Sequence, residues 1–156
     1  MSPMIEITRA AKTFTMHLQN GIRLPVVSGV SMHVDAGECV VLSGPSGAGK
    51  SSILKMIFGN YRCDQGRIAV RHNGEVIDIA TAQPREVLRV RKQTIGYVSQ
   101  FLRAVPRVAT LDVVAEPLIV NGMPREEARA QAGAFLRRLN IAERLWMLPP
   151  STFSGG

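Results

Sequence analysis

The chain has 156 residues, 46% of them apolar and 20% charged, which suits one domain with a core of its own. No run approaches the ~20 apolar residues of a membrane span, and Glu6 and Arg9 interrupt the stretch where a signal peptide would need an apolar core, so the expected location is cytoplasmic. The net charge of +7, from 19 basic and 12 acidic residues, admits nucleic acid, an anionic membrane face or an acidic protein as partner, and Cys39 and Cys63, at a spacing that matches no zinc or redox motif, read as two reduced thiols.

In chain order, Ile5 and Ile7 predict a first strand with Phe14 at its exit, and Gln19-Asn20-Gly21 is a hairpin signal leading to a second strand over residues 26–34. After the turn Asp35-Ala36-Gly37, residues 38–43 form a short apolar run predicted as a buried strand. Next come Gly44, Pro45, Ser46, Gly47, Ala48, Gly49, Lys50 and Ser51, which fit G-x-x-x-x-G-K-[ST] at every fixed position. Ile53, Leu54, Ile57 and Phe58 then recur at helical spacing until Gly59-Asn60 offers a stop. Strand, glycine-rich loop and helix in that order is the context in which the pattern binds phosphate. The glycines let backbone N–H groups turn inward, the helix start adds the positive end of its dipole, and Lys50 supplies a point charge for the β and γ phosphates. Ser51 is placed to hold Mg2+ through its hydroxyl. The bland alternative, a glycine-rich turn that happens to adjoin a lysine, explains neither flank.

Beyond that helix, residues 67–72 and 75–79 flank Asn73-Gly74, an explicit two-residue hairpin. Residues 85–107 carry Arg85, Arg89, Arg91, Lys92, Arg103 and Arg107 against Glu86, six charges less one, a local +5. Without interleaved aromatic residues or a nucleic-acid motif this reads as a solvated face, and nucleic acid is not an expected partner. Residues 95–100, ending in Gln100, are the next buried-strand candidate. Thr110 is placed to cap a helix through Val113, Val114 and Leu118, and Pro124 opens another whose Ala128, Ala132, Phe135, Leu136 and Leu139 form one apolar stripe, read as core packing.

A phosphate loop alone is shared by kinases, G proteins, helicases and transporters. Here the loop, Gln100 at 50 residues after Lys50, and the ending Ser154-Gly155-Gly156 together resemble the ATP-binding cassette family, as Walker A, Q-loop and the start of the signature motif. The resemblance implies an α/β P-loop NTPase core with an antiparallel β subdomain (residues 1–109 with the core) and a partial helical subdomain (110–156). It implies ATP and Mg2+ as ligands, held by Phe14, stacked on the adenine, by residues 44–51 with Ser52, and by Ser154, Gly155 and Gly156. Lys50 and Gln100 would serve catalysis, Ser51 and Gln100 the metal. The partner would be a second protomer, head to tail, with Ser154 and Gly155 of one closing over the phosphates held by Lys50 of the other. Residues 19–26, 98–103, 143–146 and 150–156 further resemble the L subunit of the bacterial carbon-phosphorus lyase system, an ATPase of phosphonate breakdown. That implies soluble partner subunits, met by Arg103, Arg107, Arg125, Arg129, Arg137 and Arg138 beside Phe101 and Leu102.

Two rival functions follow. Within the family the alternative is a subunit that drives a membrane permease; outside it, a phosphate-loop kinase, which needs neither signature nor dimer. The sequence stops inside the signature, so the Walker B Asp, the catalytic Glu after it, the D-loop and the switch His have no counterpart, and His17, His33 and His72 precede the signature. The expectation is an incomplete product that binds ATP without hydrolysing it, since the general base is missing.

Overall fold

The computed structural model describes residues 3–18, 20–100 and 106–153. The chain divides into two compact units, Met1–Tyr97 and Val98–Gly156.

The first unit is built on a four-stranded antiparallel sheet of β1 (Ile5–Met16), β2 (Ile22–Val34), β3 (Gln65–His72) and β4 (Glu75–Asp78), in the order β2-β1-β3-β4. Ile7 lies opposite Met32 on one side and Ile68 on the other, and with Val70, Ile77 and Val27 turns into the core. β1 runs through Phe14, where a strand exit was expected. The reason is a bulge: Arg9 sits at φ 47, the register shifts between Ile7 and Lys12, and Ser31 Oγ accepts the Arg9 N–H at 2.9 Å. Gly66, at φ 87, allows this, because a Cβ there would collide with the Arg9 carbonyl. The hairpin at Asn73-Gly74 forms as read, with both residues at positive φ and His72 opposite Glu75.

Helix α1 (Lys50–Ile57) buries Ile53, Met56 and Ile57 against this sheet and ends at Gly59, whose φ of 77 closes the turn. Helix α2 (Pro84–Gln93) was not foreseen from the basic residues it carries. Its own signals are present: Gln83 and Glu86 form a capping box around Pro84, the Gln83 N–H reaching Glu86 Oε2 at 2.9 Å, and Val90 is fully buried. Arg91 is correspondingly no solvated charge. Its Nε donates to the Phe58 carbonyl at 2.7 Å, Nη2 to Asn60 Oδ1 at 3.0 Å, and the guanidinium covers the Phe58 ring.

Two predicted buried strands, 38–43 and 95–100, form no ladder with any described residue. Leu42 and Ile95 rest against the core, but Val41 is 80% and Val98 87% exposed. An apolar run tells of affinity for an interior; a strand exists only where a neighbouring backbone supplies its hydrogen bonds.

The second unit holds α3 (Thr110–Val120) and α4 (Arg125–Arg138), with single turns at Glu143–Leu145 and Pro150–Thr152. Ala115, Ala128 and Ala132 are fully buried where the helices meet. Thr110 does not cap α3. It is the first helical residue, after Ala109, and its hydroxyl donates to the Leu148 carbonyl at 2.7 Å, tying the helix to the turn that follows Trp146. Ala128, Ala132 and Leu136 of the predicted stripe are buried, whereas Phe135 and Leu139, one position round the helix, are 49% and 71% exposed. No helix among the described residues is long and apolar enough to cross a membrane.

A candidate nucleotide site

The glycine-rich loop hangs between β2 and α1. Gly44, Gly47 and Gly49 have φ of 141, 82 and 83, conformations that side chains rarely adopt and that allow a loop to curl around an anion. Gly49 also packs on β2: a Cβ there would overlap the Val26 carbonyl and lie 3.2 Å from the Val27 side chain. Helix α1 starts directly at Lys50 without a side-chain cap and without a carboxylate in its first turn, so its free N–H groups and dipole favour an anion there. Lys50 Nζ donates to the loop's own carbonyls, Gly44 at 2.8 Å and Pro45 at 2.7 Å, which holds the ammonium over the loop. Ser51 is exposed at the same helix start with Ser52 half-buried beside it. This geometry fits a polyphosphate. Among the described residues no cluster of three or more His, Cys, Asp or Glu side chains is arranged to hold a metal. Ser51 Oγ is the oxygen this helix start would offer to Mg2+ bound with the phosphates.

Phe14 belongs to the same ribbon. It lies on β1 opposite Leu24 of β2, two residues before Val26, so β2 both pairs with the stacking candidate and makes the contact for the loop. The Phe14 ring meets Tyr61 edge to face at 5.1 Å, and Lys12 Nζ stands 5.4 Å from its centroid. Tyr61 is in turn tied to α1: Lys55 Nζ lies 5.0 Å from its ring and donates to its hydroxyl at 3.3 Å. Asp64 accepts from Lys12 Nζ and from the Thr13 N–H, both at 2.8 Å, and these bonds, the ammonium foremost, hold its carboxyl below the ordinary value of 3.8. A polar hollow of about 610 Å3 opens beside this ribbon, lined by Thr13, Thr15, Arg23, Ser28 and Asp64, with Val27 as its wall towards the loop.

The structure thus brings Phe14 and residues 44–52 into one unit. Gln100 falls in the second unit, at its exposed start, and Ser154, Gly155 and Gly156 lie outside the described residues, as do Phe101, Leu102 and Arg103. Sequence reasoning passed over Lys12, Tyr61 and Asp64. Lys12 stands two residues before Phe14, the spacing that puts both on one strand face, whereas no sequence pattern announces Tyr61 or Asp64.

Comparison with known proteins identifies the family of the chain. The profile of the ABC transporter family matches residues 27–156. The chain is 40% identical over 133 residues to the lipoprotein-releasing system ATP-binding protein LolD 2 of Caulobacter vibrioides, covering 85% of this chain and 56% of that protein. It is 33% identical over 144 residues to LolD of Coxiella burnetii, covering 92% and 59%. Among solved structures it is similar to the dimeric post-hydrolysis state of the ATP-binding cassette MJ0796 bound to ADP and Pi, with a TM-score of 0.84 and 27% identity over 97% of this chain and 64% of that one. The chain therefore spans little more than half the length of the curated relatives it matches. The expectation of a carbon-phosphorus lyase subunit finds no support in these relatives and is set aside. Of the peptides that suggested it, Ile22 and Leu24 are exposed side chains beyond the hairpin turn, and residues 101–103 and 154–156 are outside the described part. The loop, the α/β P-loop fold and the family profile agree that this chain belongs to the ABC transporter family, within its ATPase domain.

Proposed function

We propose that the protein is the ATP-binding subunit of a membrane transporter, binding ATP with Mg2+ on its cytoplasmic face and hydrolysing it between two protomers. The observation that carries the reading is the loop at the start of α1, with three glycines at positive φ, no carboxylate in the first turn and Lys50 held over it. The site divides the work by chemistry. The loop amides and Lys50 take the β and γ phosphates, Ser51 a metal oxygen shell, and Phe14 a face of the base. Mg2+ bound there would neutralise charge on the phosphates. Ser154 and Gly155 of the second protomer, and Gln100, complete the proposed site, and the helical stretch from Thr110 is the part proposed to face the partner.

The resemblance to lipoprotein-releasing ATP-binding proteins favours a permease over a soluble enzyme complex as partner. The test is to express the full-length protein with its genomic neighbours and ask where it fractionates. Recovery in a detergent-extracted complex with a multispan permease, with ATP hydrolysis lost in Lys50→Ala, is the expected result. Recovery with soluble subunits alone would overturn the transporter reading, and unchanged ATP affinity in Lys50→Ala would overturn the site itself.

A further inference from the structure

Ala11 is the last residue of β1 paired with β3, opposite Gln65. Beyond it the strand continues through a register shift at Lys12 and Thr13 to Phe14, held on one side by β2 alone. One residue carries the connection further. Asp64 gives its N–H to the Ala11 carbonyl at 2.9 Å, and its carboxylate takes the Thr13 N–H and Lys12 Nζ, both at 2.8 Å. Asp64 thus binds three successive residues of β1 and stops at the one before Phe14. The ammonium it holds is the one that stands over the Phe14 ring, while Tyr61 abuts that ring from the turn after α1.

We propose that Asp64 is a positioning residue for the nucleotide base, fixing the bulge of β1 and the Lys12 ammonium so that Phe14 presents one set ring face. This rests on the reading of Phe14 as the base-stacking residue. The physical ground is preorganisation: a ring at an unsupported bulge must be ordered when the base arrives, and that ordering subtracts from affinity. Because the contact with Phe14 concerns the base alone, the effect has a signature that general destabilisation lacks. It touches ATP and not a bare polyphosphate chain.

The experiment is calorimetric titration of the full-length protein with Mg-ATP and with Mg-tripolyphosphate, for Phe14→Ala, Asp64→Ala and the double variant. Stacking of a base on an aromatic ring corresponds to roughly a tenfold change in Kd. Phe14→Ala is expected to weaken ATP by about that factor and to leave tripolyphosphate unchanged. Asp64→Ala should weaken ATP about fivefold, again sparing tripolyphosphate, and add almost nothing in the Phe14→Ala background, because coupled residues are not additive. Asp64→Asn, which keeps an acceptor for the Thr13 N–H, serves should Asp64→Ala fold poorly, with a smaller loss of the same selectivity. If Phe14→Ala weakens ATP and neither Asp64 variant does, the inference fails and the base site stands. Equal losses for both ligands in the Asp64 variants would make the role merely structural and overturn it. If Phe14→Ala leaves ATP binding intact, the base-site reading fails and the positioning role with it.

Discussion

The Cα of Gly49 lies against the carbonyl of Val26, so close that a Cβ on residue 49 would overlap the oxygen. The phosphate loop is thereby set on β2 by a contact that only glycine permits, and its φ of 83 adds a second constraint. Gly49→Ala meets both the steric conflict and the left-handed strain, together about 2 kcal/mol or more. The expected outcome is a lowered urea midpoint and loss of ATP binding in the same variant. A variant with native affinity would show that the loop is not anchored on β2.

Gly133 of α4 and Trp146 make the corresponding test in the second unit. Alanine is the better helix former by about 1 kcal/mol, so Gly133→Ala would stabilise an open helix. Here a Cβ would come within 2.9 Å of the Trp146 ring, which cannot easily retreat. Its Nε1 donates to the Ile141 carbonyl at 2.9 Å and Arg137, paired with Glu143 at 2.9 Å, covers its face. Overpacking costs about 1 to 3 kcal/mol and outweighs propensity, so net destabilisation is expected in thermal denaturation. Gly133→Ala with Trp146→Leu should recover most of the loss.

Asp64 predicts an acid-side dependence of stability. Its carboxyl in the folded chain ionises below the ordinary 3.8, chiefly through the Lys12 hydrogen bond. Between the two values the unfolded chain binds more protons, so stability rises with pH there. The contribution is complete above the unfolded value and is lost as pH falls from about 3.8 towards the folded one. The carboxylate is 37% exposed, and solvent screening keeps the effect small. Urea midpoints measured from pH 5 down to pH 2.5 should fall less in Asp64→Asn than in the native protein, and identical slopes would remove Asp64 from the account.

Arg91 tests whether the basic stretch is structural. Arg91→Lys keeps the charge but not the planar fork that spans the Phe58 carbonyl and Asn60 Oδ1. Charge-assisted bonds of this kind are worth about 1.5 to 3 kcal/mol each, and a flexible ammonium recovers part of that. A loss of roughly 1 kcal/mol is expected, against a change within about 0.5 kcal/mol for Arg89→Lys on the exposed side of the same helix. Equal effects at 89 and 91 would mean that Arg91 is as free as its neighbour.

What could be read in the sequence was what is local. The α1 stop at Gly59 and the Asn73-Gly74 hairpin each depend on residues within one turn of one another and formed as read, and the stretch from Gly44 to Ser51 leads into a helix as expected. The 38–43 and 95–100 stretches failed because pairing is a property of the neighbour, and composition describes only the residue itself. The bulge that carries β1 past Arg9 to Phe14 depends on Gly66, more than fifty residues away, and no window of sequence joins the two. Of the group proposed to meet the base, one aromatic, Phe14, was legible. Its supports, Tyr61 and Asp64, come from the turn after α1 and are united with it by the sheet.

Trp146 is the single tryptophan of the sequence, and it stands in the second unit, while Tyr61 and Tyr97 are both in the first. Indole emission, excited at wavelengths that tyrosine does not absorb, therefore follows one unit alone. With the ring pressed between Gly133 and the Arg137 guanidinium, a red shift marks the moment α4 parts from the turn beneath it. The native chain carries its own optical label for one of its two units, and melting curves by emission and by circular dichroism will separate where the two units lose structure at different temperatures.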